Sequence, residues 1–171
     1  MMSIIPENAI EVNVPFERAC FGCSPTNSHG LKLEFFYHEK IVYCPFKPKD
    51  YHVSWGNIVH GGVSAAICDE SLGWLSMCAL HSMAVTKDLM FDYLKPINLG
   101  DEMVIVSSII KADKRFLIAE SKMINQKEQI CVRAKATMAL INAKTAKRLK
   151  IMSDSAIDEF SLFLENLKTQ L

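Results

Sequence analysis

WGNIVHGGVSAAICDESLGWLSMCAL, spanning Trp55 to Leu80, has the composition of a helix enclosed on nearly every side, yet it carries two adjacent carboxylates. On a helical wheel Val63, Ile67, Trp74, Met77 and Cys78 form one apolar face, and Leu72, Leu75 and Ala79 cover much of the other. Such a helix is wrapped by the rest of its domain. Asp69 falls on a narrow stripe with Ala65, Ala66, Gly73 and Ser76, where small side chains leave room for something to approach it. A carboxylate placed there needs a partner or a chemical role, because burying it alone is costly. Glu70 faces Val63 and Trp74 and reads as a paired structural acid or a substrate contact.

The helix begins at His60-Gly61-Gly62. First-turn N–H groups lack helical partners and favour negative charge. Two glycines there permit a close approach by a carbonyl oxygen whose charge grows during acyl transfer. Asp69 lies nine residues beyond His60, about 13 Å along a helix. That is too far for both ends to serve one carbonyl within a chain. Cooperation requires a symmetric dimer in which Gly61 of one subunit faces Asp69 of the other. Taken singly, the glycines also read as a tight helix entry and His60 as a loop histidine bonded to nearby backbone.

Outward from this helix, the flanking segments read as strands. Leu31 to Tyr37 alternates apolar and polar side chains, and Ile41 to Phe46 follows a short polar turn. After the helix, Val85, Lys87, Leu89, Phe91 and Tyr93 alternate with Thr86, Asp88, Met90 and Asp92, up to Pro96 and a turn at Asn98, Gly100 and Asp101. Met103 to Ile110, Phe116 to Ile124 and Ile130 to Ile141 complete the set. Short polar turns between consecutive strands predict an antiparallel meander, and the economical α+β solution is a curved sheet wrapped around the helix. Edge strands of such a sheet are commonly covered or paired with a second subunit. A terminal helix is expected with Ser155 as its cap and Ile157, Phe160, Leu164, Leu167 and Leu171 on one face, while Lys144, Lys147, Arg148 and Lys150 read as solvated. The chain divides into a lead-in (residues 1–29), a sheet-and-helix domain (30–142) and a helical tail (143–171).

With 19 basic and 19 acidic residues scattered along 171, the sequence offers no nucleic-acid or anionic-membrane surface. No apolar run is expected to span a membrane, and MMSIIPENAI lacks the basic start and apolar core of a signal peptide. The expected compartment is the cytosol, where Cys44, Cys68, Cys78 and Cys131 pack as small reduced hydrophobes. Cys20 and Cys23 form a C-x-x-C with structural, zinc and redox readings. Zinc needs two further ligands, for which His29 and Cys44 are available at irregular spacing, and a redox pair calls for a strand-to-helix setting.

HGGVSAAICDESLGW followed by VTKDLMFDYLKPINLGDE resembles the hotdog-fold acyl-CoA thioesterases of the phenylacetate-pathway, PaaI-like type. The resemblance rests on His60, Gly61, Gly62, Asp69, Pro96, Gly100 and Asp101 and spans residues 30–141. CFGCSPTNSHGLKLEFF resembles a lead-in of some such proteins, departing from it at Ser24, Ser28 and His29. The resemblance implies thioester hydrolysis at a homodimer interface, with dimers able to pair into tetramers. The Gly61 amide polarises the carbonyl, and the partner subunit's Asp69 acts as general base or nucleophile. It further implies that Thr86 positions water or substrate and that His60, counted with Gly61, Gly62 and Asp69 in the catalytic set, orients the Gly-Gly turn or touches the substrate. Relatives place Asn six residues before the His; here that position is Ser54, and Asn57 lies three before. The substrate is an acyl-CoA or acyl-carrier-protein thioester, and no metal or redox cofactor is required. A non-catalytic acyl-CoA sensor and an acyl dehydratase share the fold as alternatives. Lys111, Lys114 and Arg115 at a hairpin are candidates for CoA phosphates.

Overall fold

The computed structural model describes residues 4–12 and 20–171, so residues 1–3 and 13–19 of the lead-in lie outside the described residues. The chain runs β1 (Ile10–Val12), β2 (Phe35–His38), β3 (Ile41–Phe46), α1 (Gly61–Leu80), β4 (Met83–Tyr93), β5 (Met103–Ala112), β6 (Phe116–Asn125), β7 (Ile130–Ile141), α2 (Ala143–Leu149) and α3 (Asp154–Gln170). These strands form one antiparallel sheet in the order β1-β2-β3-β5-β6-β7-β4, curved around α1. The α+β expectation of a sheet around a long helix, with a further helix at the C-terminus, is met.

Burial explains why α1 is apolar all round: Ile67, Cys68, Leu72 and Leu75 are fully buried, and Trp74 stacks on Phe35 with ring centroids 5.1 Å apart. Each large side chain enclosed in this way contributes about 1.5–3 kcal/mol. Contrary to the expectation that no apolar run has membrane-span length, α1 is by length and hydropathy long enough to cross one. Its position against the sheet accounts for that composition. On the sheet side, β6 alternates strictly, turning Leu117, Ala119, Ser121, Met123 and Asn125 inward. Ser71 on α1, Ser107 on β5 and Ser121 on β6 form a fully buried chain of hydroxyls at 2.7 and 2.9 Å. These small polar side chains tie helix to sheet while satisfying one another.

Among the four strands after α1, the meander holds for β5, β6 and β7 only. β4 does not lie beside β5; it pairs with β7 at the edge, while β3 pairs with β5. Alternation identifies strands and faces, but it carries no information about neighbours when nine residues separate β4 from β5. Regular pairing of β2 begins at Phe35 rather than Leu31. Lys32 has φ 54°, and the amides of Leu31 and Leu33 donate to the carbonyls of Phe21 and Gly22 in the lead-in loop. The alternation there still predicts burial correctly, since Leu31, Leu33 and Phe35 are all buried.

A bulge between Thr86 and Asp88 shifts the register of β4 on β7. One extra residue reverses the faces on either side of it. Val85 is therefore exposed rather than aligned with Leu89 and Phe91, and Thr86 turns inward. At the C-terminus the cap is Ser153 rather than Ser155: its Oγ accepts from the Ala156 amide, which starts α3 a residue before Ser155. Ile157, Leu164 and Leu167 are buried as expected, joined by Phe163 edge-on to Trp74. The basic run lies on α2, a helix absent from the sequence reading, capped by Asn142 and buried at Ala146, with the lysines and Arg148 exposed.

Ser107→Ala should lower stability by about 1–3 kcal/mol by stranding two hydroxyls, whereas replacing Ser71, Ser107 and Ser121 together by Ala should cost less than the summed single variants. Urea unfolding midpoints of these variants and of wild type check this.

Candidate active site

His60 caps α1, with its Nδ1 accepting from the Gly62 amide at 2.9 Å. That bond places the ring proton on Nε2. It also takes Gly62 out of the anion-binding role expected of the pair, because the Gly62 N–H is already engaged. The Val63 and Ser64 amides both donate to the His60 carbonyl, which leaves the Gly61 amide as the first-turn donor available to a ligand. Gly61 is held from the far end of β4. The Tyr93 hydroxyl donates to the Gly61 carbonyl at 2.9 Å, and a Cβ on Gly61 would stand 3.3 Å from the Tyr93 ring. A cavity of about 340 Å³ opens here, lined by Gly61, Ser54, Ser64, Tyr93, Lys95 and Ile97 among others. Ser54 thus joins Gly61, whereas Asn57 lies outside the lining, in a turn where its carbonyl accepts from the Leu99 amide.

Asp69 occupies a second cavity, of about 290 Å³, with Glu70, Gly73, Trp74, Met77 and Thr86. Asp69 is half-buried rather than enclosed, and the small-residue stripe has the expected effect, since a Cβ on Gly73 would meet nothing within 4 Å. The Thr86 hydroxyl donates to one Asp69 carboxylate oxygen at 2.6 Å, a short charge-assisted bond that fixes the carboxylate. The β4 bulge makes this contact possible. Beyond the acid the cavity is apolar, walled by Met83, Met138, Ile141, Met152 and Phe160. Trp74 is almost wholly buried in the core and also lines this cavity, as do Met77, Met83, Met138 and Met152.

Glu70 has no cationic partner among the five ion pairs of the described residues. Its neighbours are thiols: Cys20 Sγ donates to its Oε1 at 3.4 Å, and Gly22 packs against the carboxylate so closely that a Cβ would fall 2.5 Å from Cδ. Burial pushes Glu70 up to about 7. Hydrogen bonding to Cys20 and burial push Cys23 upward, while the Cys23 thiol and the amides of Cys23 and Gly22 draw Cys20 down to about 5. Cys44, Cys68, Cys78 and Cys131 are buried free thiols, and burial raises Cys68 and Cys78 to about 12. The sequence motif therefore places Gly61, His60 and Ser54 at one site, and Asp69, Glu70 and Thr86 at another. Tyr93 and the Cys20–Glu70 contact carry no sequence signal, since each joins segments more than thirty residues apart.

A helix held inside an antiparallel sheet, with a free amide at its N-terminus and a fixed carboxylate midway along it, defines a hotdog-fold protein. Residues 56–132 match the thioesterase superfamily. The chain is 28% identical over 89 residues to mouse acyl-coenzyme A thioesterase 13, and 31% identical over 123 residues to the rat acyl-coenzyme A thioesterase THEM4. These alignments cover 52% and 70% of this chain, but 63% and 52% of the two relatives, so it spans less than two thirds of either. The fold is shared with a Streptococcus mutans protein solved with acetyl-CoA bound, at 24% identity and TM-score 0.61, covering 64% of this chain and 88% of that one. It is shared also with Escherichia coli PaaI, at 15% identity and TM-score 0.61, covering 66% and 81%. The chain shares the hotdog fold of these structures and, over residues 56–132, the pattern of the thioesterase superfamily.

Between its ordinary value of 4.5 and its folded value of about 7, Glu70 holds a proton that the unfolded chain has released. Its contribution to stability is therefore fully present below 4.5 and declines as pH rises through that window. Glu70→Gln should gain on wild type by on the order of 1–3 kcal/mol between pH 5 and pH 8 in metal-free buffer, read by urea unfolding at both values.

Proposed function

We propose that the chain is a cytosolic acyl-CoA thioesterase working as a homodimer, in which the Gly61 amide of one subunit and Asp69 of the other act on one thioester. The observation carrying this reading is where the two cavities meet β4. The Asp69 cavity takes Met83 to Thr86, the start of that strand, and the Gly61 cavity takes Tyr93 and the residues just after it. β4 is an eleven-residue edge strand with exposed Val85, Met90 and Tyr93, a poor surface to leave unpaired. Antiparallel pairing of β4 with its copy across a twofold axis sets the start of one strand against the end of the other. Each Asp69 cavity then faces the partner's Gly61 cavity, joining two half-sites that one helix holds about 12 Å apart.

At such a joint site the Gly61 amide, at the positive end of α1, stabilises the oxyanion formed on the thioester carbonyl. The Thr86 bond leaves the other Asp69 oxygen to accept a proton from water. That water attacks the carbonyl carbon, the C–S bond breaks, and the departing CoA thiolate takes up the proton. Direct attack by Asp69 through an anhydride is the other route, and a single turnover in ¹⁸O-water separates them by labelling Asp69 only in the second. The apolar wall from Met77 to Phe160 suits an acyl chain, and the basic hairpin at Lys111, Lys114 and Arg115 is offered to the CoA phosphates. The names of the mouse and rat relatives support acyl-CoA as the substrate.

Asp69→Asn should reduce kcat at least 100-fold on a panel of acyl-CoAs while binding and dimerisation persist. Mixing it with Gly61→Val should restore about one quarter of wild-type activity, since half the dimers are mixed and each holds one intact site. No recovery on mixing would defeat the shared site, and wild-type binding without turnover would recast the protein as an acyl-CoA sensor. Gly73→Leu should fold at least as well, a helix-interior glycine costing about 1 kcal/mol against Ala. It should also shift kcat/KM toward shorter acyl chains by filling the cavity, checked across the same panel.

A further inference from the structure

The hydrolysis proposed above gives the thiols beside Glu70 no role, yet they are arranged as a binding site. Cys20 Sγ, Cys23 Sγ and a Glu70 carboxylate oxygen all lie within 4.8 Å of one another. The loop bearing the cysteines is fastened along its length. Its Phe21 and Gly22 carbonyls accept from Leu31 and Leu33 at 2.7 and 2.9 Å, and the Cys20 carbonyl accepts from the Ser24 amide at 3.3 Å. Gly22 lets the loop close on the helix here, because a Cβ at this position would push the Glu70 carboxylate aside. The Cys23 amide donates to Cys20 Sγ at 3.4 Å, an amide-to-sulfur bond that favours thiolate at this position.

The donor set makes the case for a cation. Two thiol sulfurs and a carboxylate share a half-buried niche, and none of the ion pairs among the described residues brings a Lys, Arg or His to it. A metal ion would take up these donors together, displacing the thiol protons as it binds. Two thiolates with one carboxylate select a borderline-soft divalent ion over magnesium or calcium. Zinc bonds of about 2.0–2.3 Å in a tetrahedron imply donors roughly 3.3–3.8 Å apart. Cys20 Sγ and Glu70 Oε1 already stand 3.4 Å apart, and with all donors within 4.8 Å the widest pair needs to close by at most about 1 Å.

We propose that Cys20, Cys23 and Glu70 bind one Zn²⁺, with water completing the tetrahedron. Glu70 is the ligand that the C-x-x-C lacks in sequence, and it comes from α1 rather than from the lead-in. Bound zinc pins the lead-in loop to the central helix one residue from Asp69, coupling the order of that loop to the acid's position. This holds whether or not the chain hydrolyses thioesters.

The test uses the full chain, reduced, stripped with chelator, dialysed and titrated with Co²⁺. The expected result is one equivalent bound, with near-ultraviolet thiolate-to-cobalt absorption that Zn²⁺ abolishes by displacement. Cys20→Ser, Cys23→Ser and Glu70→Gln should each weaken Co²⁺ binding at least roughly ten-fold, and Cys78→Ser, altering a buried thiol elsewhere on α1, should not. Far-UV circular dichroism checks folding of every variant, and Glu70→Gln serves should a cysteine variant fail to fold. Absence of the charge-transfer band in folded, reduced wild type overturns the proposal. So does a band of unchanged affinity in Glu70→Gln. Formation of a Cys20–Cys23 disulfide under mild oxidant, with no Co²⁺ uptake by the reduced protein, overturns it in favour of a redox pair.

Discussion

The structure depends on enclosing an apolar helix that carries two consecutive carboxylates. Fully buried Ile67, Leu72 and Leu75 commit α1 to the inside of the sheet, and that commitment carries Asp69 and Glu70 away from bulk water. Adjacent residues on a helix diverge by about 100°, so the two acids meet different surroundings. Asp69 turns to β4 and takes a hydroxyl from Thr86; Glu70 turns to the lead-in loop and takes a thiol from Cys20. Each side of the helix therefore needs a segment brought from elsewhere in the chain.

β4 links most of the functional features. Its bulge rotates Thr86 toward Asp69, its far end places Tyr93 on the Gly61 carbonyl, and its outer edge has no partner among the described residues. The two cavities meet opposite ends of that strand, so pairing it with its copy is the simplest way to complete either one. In the proposed dimer the Gly61 amide and the Asp69 of one site stand on different subunits, because a single rigid helix separates them within a chain. In the same frame α3 acts in two ways, since Ile157, Phe163, Leu164 and Leu167 dock it on the core while Phe160 turns into the Asp69 cavity. The tail thus shapes the volume of that cavity.

Side-chain periodicity carried the sequence reading where structure is local. The helix from His60, the strands from Ile41, Met103, Phe116 and Ile130, and the glycine-carboxylate spacing are all written in residues close together in the chain. Periodicity missed what local pattern cannot encode: the place of β4 beside β7, the bulge that exposes Val85, the short α2, and the engagement of the Gly62 amide by His60.

Residue order alone dictates that a long apolar helix must be enclosed by strands and that a carboxylate and a free amide sit a fixed distance apart along it, because helical geometry follows from residue number. Which distant groups meet those polar atoms is settled by the folded arrangement. Thr86 reaches Asp69, Tyr93 reaches Gly61, and Cys20 reaches Glu70 across separations of 17, 32 and 50 residues. Such contacts depend on sheet order, register and one bulge, and these are set by packing of the whole core rather than by any stretch of the chain.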